Sequence, residues 1–250
     1  MIFLSTLSFY LCKKTKLPAV KRKDLVFITL FIILLLPFFI FDSVYSTYVS
    51  FNSHHGMIMS FIKFAVLATL GEMIALRIRK GVYHEPGFGI IPRAMVWGFL
   101  GLTIKAAFVV FAAGMPLFVQ YLGLNDAVQV MQGDLSLMKI LVAFCVSAGM
   151  NLTYAPVMMT FHKITDAHII QTGGTLQGLF RPIPFAEIFR NINWDVQWNF
   201  VFKKTIPFFW IPAHTITFLL PPDFQVLFAA ILSIALGLLL AFAGMKGAKK

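Results

Sequence analysis

Apolar residues run almost unbroken over six stretches of the chain: Leu25–Tyr45, Met57–Arg77, Arg93–Tyr121, Met138–Phe161, Thr205–Leu220 and Phe224–Gly244. A helix needs roughly 20 apolar residues to cross about 30 Å of hydrocarbon, and most of these stretches reach that length. Thr205–Leu220 is shorter and is interrupted by Pro207 and Pro212. Between the fourth and fifth stretches the pattern changes. In "IPFAEIFRNINWDVQWNF", residues 183–200, apolar side chains recur at 185, 188, 189, 192, 196 and 200, a helical period with a polar opposite face. That predicts an amphipathic helix lying on a membrane surface. The expected fold is therefore all-α: a polytopic membrane helical bundle of about six transmembrane helices plus one interfacial helix. Residues 1–24 read as a basic tail with a short apolar N-terminal segment, and 25–250 as a single transmembrane domain.

Composition agrees with this frame. Of 250 residues, 59% are hydrophobic and only 12% charged, against about 25% charged in an ordinary soluble domain. The net charge of +11 resides in the segments between apolar runs, so no nucleic-acid partner is expected; membrane lipids are. All but Lys63, Lys105 and Lys139 of the 21 lysines and arginines lie before the first run, between the second and third, between the fourth and fifth, or near the C-terminus. By the positive-inside rule this places both ends of the chain in the cytosol. Tyr45, Tyr48 and Tyr121 fall at the outer boundary, and Trp97 and Trp210 near the inner one, as interfacial anchors. The opening "MIFLSTLSFYLC" carries its lysines after the apolar run, the reverse of a secretory signal, and an interfacial segment is expected there. A bacterial cytoplasmic membrane suits the basic tail, an organellar membrane being the alternative. Cys12 and Cys145 form no disulfide framework and no metal spacing.

Helices in lipid associate through small residues that let backbones approach. Four-residue small stripes occur at Ala65-Ala68-Glu72-Ala75, Gly98-Gly101-Lys105-Ala112, Ala143-Ser147-Asn151-Ala155 and Ala229-Ser233-Gly237-Ala241. Gly98, Gly101, Ser147, Ser233 and Gly237 are thus the expected packing positions. Glu72 and Lys105 share two of these faces and point into the bundle. Lys105 lies ~18 Å along its run, and an unpaired charge at a helix centre costs roughly 2.5–3.5 kcal/mol, so the two are expected to pair. Other polar candidates for lining a solute path are Asn151 and Thr153, ahead of Pro156, and His214 and Thr217, beyond Pro212. Interhelical hydrogen bonding is the competing role for each.

Several segments together resemble the Mpv-seventeen / twenty-two-kilodalton peroxisomal membrane protein family. They are Gly71-Glu72-Met73-Ile74, Arg93, Gly101 to Phe108, "TYAPVMMTF", Trp210-Ile-Pro212, Thr217-Phe218 and Pro221 to Gln225. The likeness covers roughly residues 57–245. The chain departs from the family pattern where Lys105 stands for a His, Gln225 for an Arg and Ala107-Phe108 for a Trp-Tyr pair, and it lacks the Asp-Gln ahead of the Ala-Pro segment. The resemblance implies a helical protein of an inner or peroxisomal membrane that forms a pore for small solutes.

No nucleophile elbow, His-Glu-x-x-His, phosphate loop or second deep acid beside Glu72 occurs, so neither an enzyme nor a cofactor or metal is expected. Two functions remain. One is a pore or transporter for a small-molecule solute, in which a homo-oligomer is allowed. The other is a non-transporting structural or assembly partner that docks through the 183–200 helix.

Overall fold

The computed structural model describes residues 21–247, apart from the side chains of 30, 34, 35 and 239–247, and every regular element among them is helical. In chain order these are α1 (Arg22–Leu35), α2 (Pro37–Ile40), α3 (Asp42–His54), α4 (Gly56–Lys80), α5 (Ile90–Tyr121), α6 (Ala127–Gln132), α7 (Leu137–Gln171), α8 (Leu176–Leu179), α9 (Phe185–Arg190) and α10 (Trp194–Val196). A π-helical segment, Gln197–Trp210, then runs into α11 (Ile211–Leu219), and α12 (Pro222–Gly247) follows. Among the described residues, four helical runs are long and apolar enough to cross a membrane: Arg22–Ile40 (α1 with α2), Gly56–Lys80, Ile90–Tyr121 and Leu137–Gln171. The expected interfacial N-terminal segment and Cys12 lie outside the described residues.

The chain's punctuation explains the boundaries. Helix α4 ends on the basic turn Arg77, Arg79 and Lys80, which complements the helix dipole, and Gly81 follows at φ 78°. Ser136 opens α7 by accepting the Lys139 amide at 3.1 Å. Nothing stops α7 until Gly173 and Gly174, both left-handed, so it runs ten residues beyond the expected end at Phe161. The first apolar stretch is not one straight span: Pro37 divides α1 from α2, and an extended Phe41 precedes α3. The 183–200 stretch is not one amphipathic helix either. Asn193 caps a new start by accepting the Val196 amide at 3.1 Å, which separates α9 from α10, and the π-helical segment then carries the chain into the bundle. Its wide turn shows where the Ile211 amide bonds the Ile206 carbonyl, five residues back.

Antiparallel neighbours α4 and α5 approach closely through the small stripe. A β-carbon on Gly101 would lie 2.6 Å from the Ser60 carbonyl oxygen, and one on Gly98 2.5 Å from the Phe61 ring. Gly71 and Gly237 do the same between α4 and α12: a β-carbon on Gly71 would sit 3.0 Å from the Ile234 Cα. Gly101→Ala should therefore cost about 1–3 kcal/mol, because a backbone oxygen cannot step aside, even against the ~1 kcal/mol of helix propensity gained. Gly98→Ala should cost less, since the Phe61 ring can rotate. Thermal melts of the two variants in detergent check the ranking; equal stabilisation by both would contradict the close approach.

Each end of the bundle is tied. At the basic end, marked by Arg77, Arg79, Lys80 and Lys163, α1 is clamped to α4 by a bidentate pair. Arg77 Nε and Nη2 reach the Asp24 carboxylate at 2.7 and 2.6 Å. Tyr83 donates its hydroxyl to the same carboxylate at 2.9 Å, and burial, then that hydrogen bond, then the carboxylate's charge push the phenol up to about 12. At the opposite end Lys63 is 6% exposed and donates to Asn52. Asn52 in turn reaches Asp223 at 3.3 Å, joining α3, α4 and the start of α12.

Candidate functional site

A nine-residue loop joins α4 to α5. The close approaches between the two helices set the levels: Gly98 meets Phe61, and Gly101 meets Ser60 and Phe64, which places Glu72 beside the start of α5, near Arg93, and Lys105 beside the start of α4. The expected Glu72–Lys105 pair does not form. Lys105 lies at the other end of the bundle, its Cε 3.7 Å from where a Gly56 β-carbon would stand, and Gly56 is sixteen residues, or about 24 Å of helix, from Glu72. The partner of Glu72 is Arg93, whose Nη1 donates to Glu72 Oε2.

The same Nη1 also donates to Asp166 Oδ1. Trp97 gives its indole N–H to Glu72 Oε1 at 2.8 Å, and His162 Nε2 lies 3.3 Å from that oxygen. The Trp97 and His162 rings are 4.3 Å apart between centroids. Arg93 is held from behind, its Nε donating to the Phe88 carbonyl at 2.7 Å with the guanidinium 4.5 Å over the Phe88 ring. Three helices thus supply one cluster: Glu72 from α4, Arg93 and Trp97 from α5, His162 and Asp166 from α7. A His and an Asp four apart share a helical face, and α7 runs far enough to bring both inward. Ending the fourth apolar stretch at Phe161 hid them, and left Glu72 as the single deep acid when Asp166 stands beside it. The absence of any proline or glycine between Phe161 and Gly173 was the signal that could have found them.

This cluster forms one wall of a cavity of about 1030 Å³ enclosed by α4, α5, α7, the π-helical segment, α11 and α12. One end reaches the exposed Arg79, Lys163 and Asn193. The other stops at Phe108, Asn151 and His214, beyond which Ala107, Val146 and Phe218 pack as solid core. At that floor the Asn151 amide meets His214 Nδ1 at 3.1 Å, and Ser147 donates to the Ile211 carbonyl at 2.7 Å, so α7 and α11 are stitched together there. Glu72, Asn151, His214, Ser233 and Gly237 line the cavity.

Three other candidates do not. Thr153 is exposed on the far side of α7 and bonds its own Gly149 carbonyl at 2.7 Å, because it is two positions from Asn151 and so faces away. Thr217 is fully buried and bonds the Ala213 carbonyl at 3.0 Å. Lys105 is half-buried at the opposite end of α5. Trp97 and Trp210, expected as interfacial anchors, line the cavity instead, where their N–H groups can serve as internal donors.

Glu72, His162 and Asp166 place three ligand-type atoms within 4.8 Å of one another. The Arg93 guanidinium already takes one oxygen of each carboxylate and supplies the positive charge that a metal would bring. With a neutral imidazole, the two carboxylates and one guanidinium leave one net negative charge. No protein family, curated protein or solved structure matches the chain.

Proposed function

We propose that this is a multi-pass membrane protein that moves a small solute through the central cavity by exposing it alternately to the two sides. What carries the reading is the cavity. It has the size of small-molecule sites, roughly 300–1,000 Å³, it holds ionisable side chains inside an otherwise apolar bundle, and it is blind at one end. Intramembrane ionisable groups that face a cavity mark substrate or ion paths. A blind cavity suits a carrier caught open to one side better than a standing pore. In this reading the broken first segment, the π-helical segment with α11, and α12 cross the membrane along with α4, α5 and α7. Six crossings then put both termini and the basic end in the cytosol of a bacterial cell, and the chain is a distant relative of the Mpv-seventeen group.

Single cysteines test this in a background with Cys12 and Cys145 replaced by Ser. Met158→Cys and Ser233→Cys, on the cavity wall, should react with a small aqueous thiol reagent at least about tenfold faster than Thr153→Cys, which faces away. Uniform protection would reduce the bundle to a packed scaffold and remove the transport reading.

A further inference from the structure

With His162 neutral, the cluster is short of one positive charge. Glu72 Oε1 accepts from Trp97, and Glu72 Oε2 and Asp166 Oδ1 accept from Arg93. Asp166 Oδ2 accepts no hydrogen bond among the described residues, and Asp166 lines the cavity. Farther in, the Trp210 N–H is buried without an acceptor among the described residues while its ring also lines the cavity. A free carboxylate oxygen and a free indole N–H on one cavity wall ask for a ligand donor near Asp166 and a ligand acceptor near Trp210. Trp210 packs against Ala155 and Met159, seven to eleven residues from Asp166 along α7, or about 10–16 Å. The surface between them is aromatic and sulfur-rich, with Tyr154, Met158 and Trp97, and favours an organic cation over a hydrated inorganic one.

Resting on the carrier reading, we propose that the solute is an elongated organic amine carrying one positive charge. Its ammonium donates to Asp166 Oδ2, its apolar body lies along the methionine and aromatic wall, and an acceptor at its far end meets Trp210. A single added charge brings the cluster to neutrality; a divalent ion would overshoot it with Arg93 in place. A proton on His162 satisfies the same deficit, so proton and amine compete for one site. The groups facing His162 are Glu72 from α4, Arg93 and Trp97 from α5, and Lys163 and Asp166 on its own helix. Among the described residues, the cavity walls from the π-helical segment and α12 hold no titratable side chain. The amine therefore binds best at high pH, where the imidazole is neutral, and is displaced as the imidazole takes up a proton. Exposed Arg79 and Lys163 at the mouth act through water and salt, over a Debye length of about 8 Å, and do not reverse the preference inside.

Calorimetric titration of the purified full-length protein in detergent tests this with tyramine and with 3-(4-hydroxyphenyl)propanoate, which has the same frame and an anionic end. Tyramine should bind at least about tenfold more tightly than the anion, and about tenfold more weakly to Asp166→Asn than to the unaltered chain. Its affinity should also fall by about tenfold between pH ~8 and pH ~5.5. The pH profile of the unaltered chain decides the matter even where Asp166→Asn does not fold. Equal or tighter binding of the anion, a flat pH profile, displacement of tyramine by Mn²⁺, or binding of neither probe would overturn the proposal. If the cavity cysteines still label under any of those outcomes, the amine assignment fails while the carrier reading stands.

Discussion

Arg93→Met should destabilise the protein more than any other exchange of one cavity side chain, by about 2–4 kcal/mol. The substitution keeps the apolar length of the side chain but leaves Glu72 and Asp166 facing each other across the space that one Nη1 had occupied. Removing one member of a buried charge group typically costs 3–5 kcal/mol, because the remaining charges stay desolvated and unpaired. The side chains of Glu72 and Asp166 remain 21% and 22% exposed, which lowers the expected figure. Adding Asp166→Asn to Arg93→Met should recover part of the loss by removing the like-charge repulsion, whereas adding Lys105→Met should recover none. Melting temperatures of the four proteins in one detergent check this. Recovery through Lys105→Met in place of Asp166→Asn would mean that the charge network is wired differently.

Gly174→Ala should cost about 2–5 kcal/mol, and Gly173→Ala only about 1–2 kcal/mol. Both glycines are left-handed, at φ 68° and 73°, so alanine bears the same conformational penalty at each, about 1–2 kcal/mol. The surroundings differ. A β-carbon on Gly174 would come within 2.7 Å of the Gly87 carbonyl and the Gly89 amide, whereas one on Gly173 would meet nothing within 4 Å. Overpacking against backbone adds roughly 1–3 kcal/mol. The displaced loop includes Phe88, whose carbonyl holds Arg93, so Gly174→Ala should also weaken tyramine binding while Gly173→Ala leaves it unchanged. Melting and titration of both variants read the two effects separately; matched losses of stability would show that the 86–89 loop does not rest on Gly174.

Glu72, Asn151 and His214 stand out in the sequence as polar residues inside apolar runs, and all three line the cavity. Arg93, His162 and Asp166 do not stand out. They sit where an apolar run gives way to charge, and a hydropathy pattern reads such positions as the membrane boundary. Their role depends on α7 continuing as an unbroken helix to Gln171, which local propensity allows but hydropathy does not register. The Glu72–Lys105 expectation shows the complementary weakness. Both residues occupy the correct faces, and a helical period reports faces well, but the level at which two antiparallel helices meet depends on where the connecting loop begins and ends. Arg93 and Lys105 lie twelve residues, or about 18 Å of helix, apart on α5, and it is this difference in level that pairs Glu72 with Arg93.

The abundance of apolar residues, the spacing of the runs they form and the glycine and proline stops are properties of the chain taken a few residues at a time. They suffice for an all-helical molecule with several helices able to cross a membrane, and for the small-residue faces that meet between α4 and α5. The joining of two acids, an arginine and a histidine from three helices, and the cavity they face, arise only when those helices pack. Charge pairing at that range is set by side-chain reach across an interface of a few ångströms, and no periodicity along one stretch of sequence encodes the relative height of its neighbours.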